Sequence, residues 1–234
     1  MFLKKIMTTK AKELAQQILD IGAIKFGAFK LKAHEVDPDL PLSPIYIDLR
    51  IVRSHPDVLR LAVKCMIDKM KEKNIRCDLI ADLPTAGTPI ATLLMDRTNI
   101  PMITPKKELK THGIIAKVEG VFRSGNRVLM IDDLATKADT KIEAAMTLRN
   151  ASLIVTDSLV IVDRKQGAGK NLALHGIKMH SVLNLPEMLS YYKETRAIAL
   201  PKLFEVEKYL ELNLLLASLI YIPHIWGIFF GYLG

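Results

Sequence analysis

Five short apolar runs set the strongest constraint on this chain: DLIAD at 78–82, PMIT at 101–104, RVLMID at 127–132, VTDSLVIVD at 155–163 and IKMHSV at 177–182. Most lack the clean alternation of a strand with one wet face, so they predict strands covered on both sides. Helical patterns stand between them at 88–97 and from about 139 to 149. Strand alternating with helix predicts an α/β fold with a mostly parallel central sheet flanked by helices.

The segment before these runs has a different texture. Residues 1–22 repeat apolar positions as an amphipathic helix does, with no apolar leader region or small-residue cleavage site, and are expected to be folded protein. AIKFGAFKLKA at 23–33 and SPIYIDLR at 43–50 alternate as two short strands, with a Pro- and Asp-containing loop at 34–42 between them. Ser54 is placed to cap a helix with Pro56 and Asp57 in its first turn. After the last strand, Asn184 is expected to cap a helix over 186–196, and Pro201 to open another. A chain of 234 residues fits one main domain. The boundaries drawn are 1–198 for that domain with its small N-terminal hood and 199–234 for a helical, strongly apolar extension.

RVLMIDDLATKADTK at 127–141 carries the chemistry. In an open parallel sheet the carboxyl ends of the strands face the ligand crevice, which is where Asp132 and Asp133 would fall. The hydroxyl of Thr136 and the backbone N–H groups up to the next helix suit phosphate oxygens. Carboxylates, sugar hydroxyls and phosphates are hard ligands of the kind Mg²⁺ takes. An acidic pair alone is equally consistent with a helix cap and a solvated neighbour. Thr136 and Asp139 also have capping-box spacing, which would turn the Asp139 carboxylate onto the N–H groups meant for phosphate.

This segment resembles the phosphoribosyl diphosphate motif of type I phosphoribosyltransferases. Four more segments are similar to orotate phosphoribosyltransferases, including the first half of animal UMP synthase: KFGAFKLK at 25–32 with SPIYIDLR at 43–50, KKELKTHG at 106–113, VDRKQG at 162–167 and HGIKMHSV at 175–182. They occur in the family's order over about residues 15–195. The resemblance implies a type I phosphoribosyltransferase fold and Mg-dependent transfer of the 5-phosphoribosyl group from phosphoribosyl diphosphate to orotate. The products would be orotidine 5′-monophosphate and pyrophosphate, in pyrimidine biosynthesis.

The same resemblance implies residue roles. Lys106, Lys107, Lys110 and His112 match a basic loop that closes over the diphosphate and serves the neighbouring subunit of a homodimer. Within it, Lys110, assisted by His112, would stabilise charge on the departing pyrophosphate. Asp132 and Asp133 would hold the ribose, and Leu134, Ala135, Thr136, Lys137, Ala138, Asp139 and Thr140 would form the 5′-phosphate loop, with Thr136 also near substrate. Thr85 and Ala86 would face the pyrophosphate, and Lys32 would reach the diphosphate region. Arg164 would take the orotate carboxylate, with Tyr46 beside the base. No protein metal ligands are assigned, because Mg²⁺ would be held mainly by phosphoribosyl diphosphate and water. The sequence departs from the family where Thr85 replaces a common Tyr, and where Ala138 and Asp139 replace Gly and a small residue.

Composition narrows the alternatives. The net charge of +8 suits anionic partners. Without zinc-finger spacing, a recognition-helix motif or aromatic residues interleaved in a basic stripe, nucleic acid is not expected. Cys65 and Cys77 make no disulfide framework, in keeping with a cytoplasmic location. A catalytically weak ligand-binding or regulatory protein on the same fold is the alternative function, motivated by the altered phosphate loop. Residues 212–233 contain no Asp, Glu, Lys or Arg over a length near that of a bilayer span. Asn213, Pro223 and His224 interrupt the run, so a cover for the protein's own apolar surface is preferred and membrane contact stays open.

Overall fold

The computed structural model describes residues 7–30, 32–35, 37–106 and 117–219. Helix α1 (Thr9–Asp20) leads into a two-stranded antiparallel hood, β1 (Ile24–Phe29) against β2 (Ser43–Ile47). A 3-10 turn over Leu49–Ser54 then delivers the chain to α2 (Pro56–Glu72). The cap of α2 is His55, whose side chain makes no capping bond, rather than Ser54, which the 3-10 turn absorbs as its last residue.

The main sheet contains β3 (Leu79–Asp82), β4 (Met102–Pro105), β5 (Val118–Glu119), β6 (Arg127–Ala135), β7 (Ile154–Asp163) and β8 (Lys178–Asn184) in the order β5-β4-β3-β6-β7-β8. Every pairing is parallel except the short edge strand β5, which runs antiparallel to β4. Helices α3 (Gly87–Thr98), α4 (Asp139–Asn150) and α5 (Ala168–Leu174) connect successive strands, and α6 (Leu185–Glu194) follows β8. Asn184 caps α6, its side chain accepting the Glu187 N–H at 3.0 Å. The Gly-containing stretch after β7 contains α5. Gly167 at φ 101° turns the chain, and Leu172 then has a buried site that rewards one further helical stretch.

The apolar runs are explained by two cores. Leu129 and Ile131 of β6 face one cluster with Leu14, Ile18, Met66, Ile90 and Leu94, while Val128 and Met130 face the other with Leu79, Leu148 and Leu172. Strand side chains alternate, so a central strand with helices on both faces is apolar at every position. Helix α7 (Leu200–Leu219) joins the first cluster through Leu203 and Val206, both essentially inaccessible. Tyr192 of α6 closes that core, its hydroxyl donating to the Ala15 carbonyl at 2.6 Å. Burial pushes the Cys65 and Cys77 thiols up to about 11, so they behave as apolar packing groups rather than nucleophiles.

Candidate active site

Chemistry gathers at the carboxyl ends of β3, β6 and β7. Asp132 and Asp133 lie near the end of β6, where the strand leaves the core and its backbone still pairs with β7. Asp132 Oδ1 accepts the Asp133 N–H at 2.9 Å. Its other oxygen accepts from Lys141 Nζ at 2.6 Å, and that ammonium also donates to the Leu134 carbonyl at 2.7 Å. Lys141 is 2 % exposed. Burial, then the negative charge of Asp132, pushes the Asp133 carboxyl up to about 7.

The loop after β6 is anchored from behind. Arg164 N–H donates to the Ala135 carbonyl, Ala168 N–H to that of Thr136, and the Asn171 amide to that of Lys137, at 2.9–3.0 Å. Ala138 caps α4 at φ 75°, a left-handed conformation that a side chain resists. The expected capping box is absent: Ala138, not Thr136, is the cap, no side chain bonds there, and Asp139 is an exposed first-turn residue. Tying Thr136 and Lys137 to α5 fixes the loop in a path unlike a box. The first turn of α4, with Asp139 and Thr140, presents its N–H groups at the end of this loop.

At the end of β3, Thr85 and Ala86 form the turn into α3, and the Thr85 carbonyl accepts from Arg53 Nη2 at 2.8 Å. Gly87 is required by proximity: a Cβ there would lie 2.7 Å from the Ile131 carbonyl oxygen. Its absence lets the start of α3 sit against Asp132. Beneath this turn Asp82 is buried and accepts from the hydroxyls of Thr88 and Thr104, each at 2.5 Å. A cavity of about 310 Å³ joins Leu83, Pro84, Lys106, Asp132, Thr140 and Glu143. Lys106, at the root of the basic loop, pairs with Glu119 of β5.

Arg164 follows β7 and is 5 % exposed. Among the described residues its Nε and Nη2 have no hydrogen-bond partner. It does not pair with the adjacent Asp163, whose oxygens accept instead from the N–H and Nζ of Lys165 at 2.7 and 2.9 Å. Burial lowers the guanidinium's proton affinity, offset in part by the phenols of Tyr209 and Tyr46. Tyr46 lies on the hood, its ring centroid 5.6 Å from that of Phe29, and its hydroxyl accepts from Arg50 at 3.2 Å. Arg50 also grips Asp48 through two bonds of 2.6 and 3.0 Å, which holds that carboxyl below the ordinary range.

Lys107, Lys110 and His112 lie outside the described residues, as does the side chain of Lys32, whose backbone is in a 3-10 turn over Lys32–Glu35. His175 and His180 make structural contacts: His175 Nδ1 is 3.0 Å from the Asn171 carbonyl, and His180 Nε2 is 2.7 Å from Asp157. Sequence reasoning missed Lys141, Tyr209, Asp82 and the hood arginines. The lysine stood out only as a cation among the apolar positions of a helix, and Tyr209 had no local signal at all. Among the described residues no three acidic, His or Cys side chains gather as a metal cage.

Sheet, hood and acidic strand end together define a type I phosphoribosyltransferase fold, similar over 86% of this chain to UMP synthase of Leishmania donovani, with a TM-score of 0.76 and 34% identity. This chain spans 42% of that longer one. Orotate phosphoribosyltransferase of Caenorhabditis elegans is 36% identical over 174 residues, 74% of each chain, and that of Cenarchaeum symbiosum 38% identical over 169 residues, 71% of this chain and 82% of its own. No protein-family model matches. On these relatives the chain belongs to the orotate phosphoribosyltransferase family.

Proposed function

We infer that this protein is an orotate phosphoribosyltransferase, moving the 5-phosphoribosyl group from phosphoribosyl diphosphate to orotate, with orotidine 5′-monophosphate and pyrophosphate as products of a step in UMP synthesis. The observation that carries the substrate is Arg164, a buried guanidinium with two unpartnered N–H-bearing atoms beside the acidic strand end. An unmatched buried donor pair is costly unless a ligand fills it, and a planar carboxylate accepts both bonds at once. Orotate carries that group on the ring whose nitrogen attacks.

The other roles are those that the resemblance to the family implies. Asp132 and Asp133 receive the ribose hydroxyls, the 136–140 loop takes the 5′-phosphate, and Thr85 and Ala86 face the diphosphate. Lys106 and Lys107 hold it, while Lys110 and His112 meet the charge that develops as the glycosidic bond breaks, where preorganised donors contribute most. Lys32 reaches the same region and Tyr46 flanks the base. The donor set fits Mg²⁺ arriving with the diphosphate and water, where the ion neutralises charge on the leaving group. A homodimer with shared sites and a cytoplasmic location complete the reading. For the tail, among the described residues no helix is long and apolar enough to cross a membrane, and residues 220–234 lie outside them.

The alternative of a catalytically weak ligand-binding protein draws on Ala138, held at φ 75° where glycine would be unstrained. One assay separates the two: purified protein with orotate, uracil or other bases, phosphoribosyl diphosphate and Mg²⁺, reading nucleotide and pyrophosphate together. Equimolar products with orotate support the transferase. Binding of phosphoribosyl diphosphate without either product would leave the ligand-binding reading.

A further inference from the structure

Lys141 is the ionisable group at the acidic pair that the function above does not use. It projects from the first turn of α4 into a space where only 2 % of its surface is accessible, and ends 2.6 Å from Asp132 Oδ2 and 2.7 Å from the Leu134 carbonyl oxygen. A buried ammonium is costly to desolvate and is retained only where anionic and carbonyl oxygens surround it. Those are oxygens of the sort a divalent cation would also take. With Asp132 Oδ1 accepting the Asp133 N–H, both oxygens of Asp132 are engaged and its rotamer is fixed.

We propose that Lys141 is a positioning residue that acts as the resident cation of the acidic pair, fixing Asp132 and occupying the place where free Mg²⁺ would otherwise bind. Two adjacent carboxylates without a countercharge attract a divalent ion and repel a polyanionic substrate. With both carboxylates ionised, Lys141 leaves the pair one net negative charge instead of two, so the metal comes to the site with the diphosphate rather than ahead of it. This rests on the reading that the acidic pair belongs to the transferase site. The experiment needs no turnover, so an inactive chain can pass it and an active one can fail it.

Mn²⁺ alone is titrated into the full chain, free ion being read by electron paramagnetic resonance, for wild type, Lys141→Gln, Lys141→Met and the pair Lys141→Met with Asp132→Asn. Wild type is expected to show no site tighter than about 1 mM, a weak-binding regime for carboxylate sites. Either single variant should bind Mn²⁺ at least about tenfold more tightly, since a cation a few ångströms away is removed. The double variant should lose that gain, because one of the two carboxylates is neutral. Lys141→Gln keeps a donor for Leu134, so its response separates charge from packing. Unchanged Mn²⁺ binding in a folded single variant overturns the proposal. So does a wild-type site tighter than about 0.1 mM that Asp132→Asn abolishes, whether or not the lysine variants fold.

Discussion

At Ala138 a methyl group occupies a backbone conformation, φ 75°, that costs an L-residue about 1–2 kcal/mol. Ala138→Gly is therefore expected to raise stability by about 1 kcal/mol and to tighten binding of phosphoribosyl diphosphate, because the loop no longer holds a Cβ where the chain is proposed to curl around phosphate. Calorimetric titration with Mg²⁺ and a thermal melt measure both; lower stability would show that the methyl's packing outweighs the strain. Asp133 carries a pH prediction. Its carboxyl is pushed up to about 7, so it is largely protonated below neutrality and would fill its proposed role of accepting ribose hydroxyls fully only above it. kcat/KM for phosphoribosyl diphosphate should rise through pH 7 and lose that limb in Asp133→Asn. Stability runs the opposite way: a carboxyl with a raised folded pKa contributes most below its ordinary value near 3.8, and that contribution is lost as pH rises through about 7. Asp133→Asn should flatten the stability profile over that window, and a profile as steep as wild type's would assign the proton elsewhere.

Helix α7 shows how an element can belong to a fold it follows in sequence. Leu203 and Val206 are buried in the first core, Leu200, Phe204 and Leu212 are exposed, and Tyr209 comes near Arg164. A cut near residue 200 would remove core side chains along with the apolar tail. Leu203→Ala should cost about 2–5 kcal/mol, as other buried leucines do. Phe204→Ser, one position along and exposed, should stay within about 0.5 kcal/mol. Urea denaturation of the two variants compares them directly, and equal losses would mean that α7 is not packed as described. A chain ending at 212 is the better test of the tail, since it keeps Leu203, Val206 and Tyr209.

For the whole molecule, the proposed shared-site homodimer has a kinetic signature. The basic loop with Lys110 is proposed to serve the partner's site, while Arg164 serves its own. Lys110→Ala and Arg164→Ala chains should each be nearly inactive as pure dimers. Co-refolded in equal amounts, they should recover about a quarter of wild-type activity, because half the dimers are mixed and each mixed dimer holds one intact site. No recovery, with mixed dimers demonstrated by mass, would place Lys110 in its own subunit's site.

Hydrophobic period and chain order alone determined much: a parallel sheet with two covered faces, a hood ahead of it, and an acidic pair at the end of a strand that opens on the crevice. These depend on neighbours in sequence, where the two-residue alternation of strands and the helical repeat leave a local imprint. Asn184 as a cap was legible for the same reason. Ser54 as a cap and the Thr136–Asp139 box were not, because the 3-10 turn of the hood and the ties from α5 to the phosphate loop come from elsewhere in the chain. Only the tertiary structure decided that Arg164 leaves two donor atoms unpaired among the described residues, that Lys141 turns inward to Asp132, and that Tyr209 comes near Arg164 from a helix beyond the family motifs. Charge gives a side chain no direction in sequence; which oxygens it meets is fixed when distant elements close around it.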